Sequence, residues 1–207
     1  RAVVIDRLLS EAELPRAIAP RSHPEPTLAA GQLGVLVEAA GCNFSDLLIA
    51  SGRYQKQPAL PFVLGAELAG TVYALGAAAQ GFRVGDRVFA APGTGAFAER
   101  VALPAALVRK LPERMTFAEG AAIQITFPTA YAALVDRSQL RPGETLLVHA
   151  AAGGVGLAAV QIGVALGARV IATAGDAEKC EIARAHGASA AIDYQREDFV
   201  ARVRELT

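Results

Sequence analysis

The residue run best suited to chemistry is Ala150-Ala151-Ala152-Gly153-Gly154-Val155-Gly156. Upstream, Leu146-Leu147-Val148 reads as a buried strand, and downstream Val155 to Leu166 reads as a helix stopped by Gly167. A strand-loop-helix of this kind can hold a dinucleotide. The backbone must swing sharply from strand to helix, and the pyrophosphate must lie against peptide N–H groups at the helix N-terminus, so bulky side chains are excluded. The pattern is A-x-x-G-x-x-G, from Ala150 through Gly153 to Gly156; Ala151 stands where the first glycine of G-x-G-x-x-G would be.

Such a loop functions only within a parallel sheet, and the following residues supply one. Arg169 to Thr173 reads as a second strand, Gly175-Asp176 as a polar turn, Ala177 to about His186 as a helix, and Ala190-Ala191-Ile192-Asp193 as a third strand. Glu197 to Leu206 begins a further helix. This alternation implies βαβ units. NAD-specific folds carry an acid at the end of the second strand to bind the ribose 2′-OH. Here that end is Thr173-Ala174-Gly175; Asp176 is either a displaced version of that acid or the N-cap of the next helix.

Before residue 115 the pattern changes to short alternating runs punctuated by Gly and Pro. Val3-Val4-Ile5, Leu33 to Ala39, Leu68 to Leu75, Arg87 to Ala90 and Ala96 to Leu103 read as strands, separated by turns such as Gly85-Asp86 and Pro92-Gly93. The fold class is therefore α/β with an N-terminal mostly-β domain. A boundary at Leu111-Pro112 divides residues 1–112 from residues 113–207. Thr116 and Glu119 have capping-box spacing, and Pro128 suits the first turn of a helix running to about Asp136.

Composition narrows the function classes. Lys+Arg and Asp+Glu each count 20, giving zero formal net charge, so no basic field attracts nucleic acid or an anionic membrane. The most apolar stretch, Leu157 to Gly175, is interrupted by Gln161 and Arg169 and reads as core rather than membrane span. Cys42 and Cys180 form no paired pattern, which fits a reducing, cytoplasmic setting. Cys42 is expected to be a buried small hydrophobe.

Five strings in order, Gly41-Cys42-Asn43-Phe44-Ser45-Asp46, Ser51-Gly52-Arg53-Tyr54, Leu64 to Gly70, Val84 to Val88 and Ala150 to Gly156, resemble the NADPH-dependent quinone oxidoreductases. This group, which includes zeta-crystallin, belongs to the medium-chain dehydrogenase/reductase superfamily. The resemblance implies a GroES-like β domain followed by a Rossmann domain. In the zinc branch a cysteine matches Asn43 and a histidine matches Ala66; neither residue present is a zinc ligand, so no metal is expected.

The resemblance also implies the site. Ala150, Ala152, Gly153, Gly154, Val155 and Gly156 would hold the pyrophosphate, and Gly175, Lys179 and Tyr194 the 2′-phosphate of NADPH. Without a metal, hydrogen-bond donors must meet the charge developing on the acceptor oxygen. Asn43 and Tyr54 match polar positions of the substrate cleft, and Thr129 matches a threonine near the nicotinamide. Each has a plainer reading: Asn43 as the cap of a helix opening at Phe44, Tyr54 as cover for its loop, Lys179 as a solvated helix residue, Tyr194 as a half-buried ring. His149 reads as a structural histidine. The acceptor would be a quinone or another α,β-unsaturated carbonyl, with enoyl thioester reduction as the nearest rival. Only three of the strands in the order 3-2-1-4-5-6 can be found. A truncated chain and a non-catalytic NADPH-binding fragment are thus also implied, and full-length relatives are expected to be homodimers.

Overall fold

The computed structural model describes residues 1–207 and divides into two compact units, Arg1–Ile125 and Thr126–Thr207. In the first unit, apolar residues turned inward from the strands pack into two cores. The strands are β1 (Val4–Ile5), β2 (Gln32–Gly41), β3 (Phe62–Val63), β4 (Glu67–Leu75), β5 (Arg87–Ala90), β6 (Arg100–Pro104) and β7 (Val108–Lys110). Five of them form an antiparallel sheet in the order β6-β2-β4-β5-β7, and β1 pairs antiparallel with β3. Leu33, Val35, Leu68, Val72, Val88 and Val101 fill the main core. The β2–β4 ladder shifts register between Gly34 and Val35 and again between Val37 and Ala39. A Cβ at Gly70 of β4 would stand 2.0 Å from the Leu36 carbonyl oxygen, so these strands meet where only glycine fits.

Three helices complete the unit: α1 (Leu14–Ala17), α2 (Phe44–Ala50) and α3 (Phe117–Ala122). Ile49 and Ala50 of α2 pack with Ile5, Leu14, Phe62 and Leu64 in a second core. At the head of α3, Thr116 and Glu119 form the capping box expected from their spacing; the Glu119 main-chain N–H donates to Thr116 Oγ1, and Glu119 Oε2 accepts from the Thr116 N–H.

Two expectations are corrected here. The boundary lies after Ile125 rather than at Pro112, because α3 packs its buried Gly120 and Ala121 with the β sheet. The strand expected from Ala96 begins only at Arg100, since Ala96, Phe97 and Ala98 bond to the loop around Leu64, to Val3 and to Ala2 instead of to a ladder.

The second unit opens with α4 (Thr126–Tyr131), which continues as a π-helical stretch over Ala132–Arg137. Pro128 falls in the first turn, where its missing N–H is not needed. Strand β8 (Thr145–Val148), helix α5 (Gly154–Ala165), strand β9 (Arg169–Ala174), helix α6 (Ala177–Ala185), strand β10 (Ala190–Asp193) and helix α7 (Phe199–Leu206) follow. The sheet is parallel in the order β10-β9-β8, as the alternation requires. Helix α5 approaches it closely: a Cβ at Gly163 would stand 2.7 Å from Leu146 Cδ2. Gly167 ends α5 with φ +78°, the left-handed cap that favours glycine.

Candidate functional site

The turn between β8 and α5 is made by leaving side chains out. Ala150 takes φ +49° to redirect the chain, and Gly153 N–H donates to the Ala150 carbonyl at 2.9 Å. Gly153 is the N-cap of α5 and has no side chain to cap it, so the first-turn N–H groups of Gly154, Val155 and Gly156 have no partner within the helix. A Cβ at Gly156 would lie 2.2 Å from the Ala150 carbonyl oxygen, so the turn closes only on glycine. Gly153, Gly154 and Val155 are exposed and Ala152 half-buried. The buried Ala151 donates its N–H to the Thr173 carbonyl at 3.0 Å, anchoring the turn to β9.

At the ends of β9 and β10 a second group assembles. Tyr194, half exposed, lays its hydroxyl 2.8 Å from where a Gly175 Cβ would be. Lys179, in the first turn of α6, donates from Nζ to Asp176 Oδ2 at 2.8 Å. Asp176 Oδ1 accepts the Lys179 main-chain N–H at 2.8 Å, so Asp176 is the N-cap of α6. The pair lowers the Asp176 carboxyl and raises the Lys179 ammonium, chiefly through their mutual hydrogen bond. The pair is exposed, so it is weak and can be exchanged for a stronger anion. His149 follows β8; its Nδ1 meets the buried Thr173 Oγ1 at 3.0 Å, and its ring stands edge-on to Phe199. It has structural partners but is more exposed than a residue at a buried strand end would be.

In the first unit Asn43 caps α2 in an extended conformation. Its main-chain N–H donates to Asp46 Oδ2 at 2.8 Å and its Nδ2 to Glu67 Oε1 at 2.8 Å. Asn43 and Asp46 thus form a capping box at the head of α2, as the plainer reading of Asn43 expects, while the Nδ2 end of the Asn43 carboxamide is held by Glu67. Burial, opposed by the Asn43 N–H and aided by the charge of Glu67, holds the Asp46 carboxyl above its usual range. Tyr54 lies in the loop after α2, exposed, with its main-chain carbonyl accepting from Gln57. Thr129 is exposed on α4 of the second unit.

Cys42 is exposed, against the expectation of burial: Asn43 is turned toward Glu67 and its neighbour on an extended segment faces the other way. Glu67 was not singled out from the sequence. Its signal is an acid between Ala66 and Leu68, at the start of a strand whose next residues, Leu68, Ala69 and Gly70, are buried.

The alcohol dehydrogenase GroES-like domain family matches residues 29–113, and the zinc-binding dehydrogenase family matches residues 154–207. An NAD-dependent alcohol dehydrogenase superposes with a TM-score of 0.90 at 35% identity, over 100% of this chain and 67% of that one. The chain belongs to the medium-chain dehydrogenase/reductase family. A quinone oxidoreductase from Pseudomonas aeruginosa is 45% identical over 82% of this chain and 52% of its own length. A mycobacterial member solved with NADPH superposes with a TM-score of 0.87 at 38% identity, covering 99% of this chain and 62% of its own. The chain thus spans about half the length of the curated relatives it matches. No group of three or more His, Cys, Asp or Glu side chains is placed to hold a metal ion, and no helix is long and apolar enough to cross a membrane.

Proposed function

We propose that the protein is an NADPH-dependent oxidoreductase that reduces a quinone or another α,β-unsaturated carbonyl without zinc. The observation that carries this reading is at the end of β9. The position where an NAD site keeps an acid is Gly175, and the neighbouring Asp176 has both oxygens engaged by Lys179. A 2′-phosphate meets no free carboxylate there. It meets the Lys179 ammonium and the Tyr194 hydroxyl, a charge and a donor suited to a dianion.

The cofactor fits the cradle. Gly154, Val155 and Gly156 offer open N–H groups at a helix N-terminus to the pyrophosphate, and the missing Cβ atoms of Gly153 and Gly156 let the turn close against the Ala150 carbonyl. NADPH supplies the hydride when bound. The chain's residues orient the acceptor: Asn43 offers a carboxamide N–H to its oxygen, and Tyr54 carries an exposed hydroxyl able to donate a proton. In the second unit, Thr129 of α4 stands at the position that the resemblance assigns to the nicotinamide end of the cofactor. Asn43 and Ala66, at the positions of zinc-branch ligands, offer no thiolate or imidazole.

Steady-state oxidation of NADPH by 1,4-benzoquinone in the full-length protein tests this reading. Turnover with NADPH well above that with NADH supports it. Protection of NADPH fluorescence without quinone reduction would leave binding and remove the catalytic assignment.

A further inference from the structure

Glu67 is 1% exposed, and its two oxygens face three N–H groups and no cation. Oε1 accepts from Asn43 Nδ2 at 2.8 Å; Oε2 accepts from the consecutive main-chain N–H groups of Gln124 and Ile125 at 2.9 and 3.0 Å. The second pair fixes the carboxylate in one orientation. Room for it exists because Gly41 has no Cβ, which would stand 2.5 Å from Oε1 and 2.7 Å from Cγ.

A carboxylate accepts and does not donate, so the Asn43 atom facing it is the nitrogen. This removes the two-fold ambiguity of a carboxamide: one N–H is held by Glu67, and the other N–H and Oδ1 are directed by that bond. The Asn43 main chain is fixed separately by Asp46 Oδ2, while Asp46 Oδ1 is buried without a partner. Two buried acids are an unfavourable core arrangement unless something requires them. Their shared neighbour is Asn43.

We propose that Glu67 is a positioning residue for Asn43, setting which end of the carboxamide meets the acceptor; this rests on the reading that Asn43 donates to the acceptor oxygen. A purely structural Glu67 would stabilise the fold, and replacing it would change reactivity equally with or without Asn43. Glu67→Gln separates these. The glutamine is isosteric, and its carbonyl oxygen can still serve Gln124 and Ile125. Its NH2 group then faces Asn43, which must invert to present Oδ1. The fold persists and the donor is turned.

Two measurements on the full-length protein decide it. In side-chain amide NMR, one Asn43 Nδ2 proton, identified by its loss in Asn43→Ala, is expected to be shifted and protected from exchange in the wild type and to lose both properties in E67Q. In kinetics, E67Q is expected to lower kcat for benzoquinone about tenfold with the KM for NADPH unchanged, and to change kcat/KM less than about twofold once Asn43 is alanine. An unchanged Asn43 signal in E67Q, or additive kinetic losses, would overturn the proposal. Absence of quinone turnover in the wild type would remove the proposed reaction, and the Asn43 signal would still decide the role of Glu67.

Discussion

At the head of α5 polar groups stay open because side chains are missing; around Asn43 two buried acids hold the main-chain N–H and one end of the carboxamide in place. The α5 turn depends on Gly153 and Gly156 and leaves N–H donors for a ligand. The Asn43 cluster buries Glu67 and Asp46 and ties each of them to Asn43 by a hydrogen bond of 2.8 Å. The first arrangement suits binding an anion that arrives and leaves. The second suits holding one side chain still.

The contrast is sharpest at Gly156. Gly156→Val would place carbon 2.2 Å from the Ala150 carbonyl, overpacking the turn by about 3 kcal/mol and abolishing NADPH binding; fluorescence titration and thermal melting would show both. Retained binding would break the comparison. On the other side, Glu67→Ala would remove the carboxylate that three partly buried N–H groups share. Unfolding by urea should show a loss of about 2–3 kcal/mol, against nearly none for E67Q.

How much of this the sequence disclosed follows the same division. Glycine-rich turns announce themselves, since no other residue fits, and the β8-α5-β9-α6-β10 order was legible from period and punctuation alone. The caps at Thr116 and Asp176 were legible for the same local reason. Glu67 was not, because its partners at residues 43, 124 and 125 are brought to it only by the fold. Cys42 was misjudged because nothing local fixes which way an extended residue faces when its neighbour is tethered at long range. The domain boundary moved for a similar reason: α3 looks like the start of the helical half, yet its small residues pack with the sheet.

Smaller effects refine the comparison. Lys179→Ala removes the ammonium that pairs with Asp176 beside Gly175, and should weaken NADPH about tenfold while leaving NADH unaffected. Equal losses would mean that Lys179 is a solvated helix residue. Asp46→Asn addresses the buried acids. Because the folded carboxyl titrates above its ordinary value, its favourable contribution is present at low pH and is lost as pH rises through the folded-state titration. D46N should flatten that fall and be no less stable than wild type at neutral pH. A lower melting temperature there would show that the Asp46 charge is required.

In the proposed reading, Lys179 and Tyr194 at the ends of β9 and β10 hold a 2′-phosphate. Equilibrium titration of the full-length protein with NADPH and with NADH, followed by cofactor fluorescence at fixed ionic strength, tests it most directly. NADPH should bind tighter by about tenfold or more, the value of one charge-assisted contact. NADH binding as tightly as NADPH, or more tightly, would contradict it and return Asp176 to the role of ribose ligand.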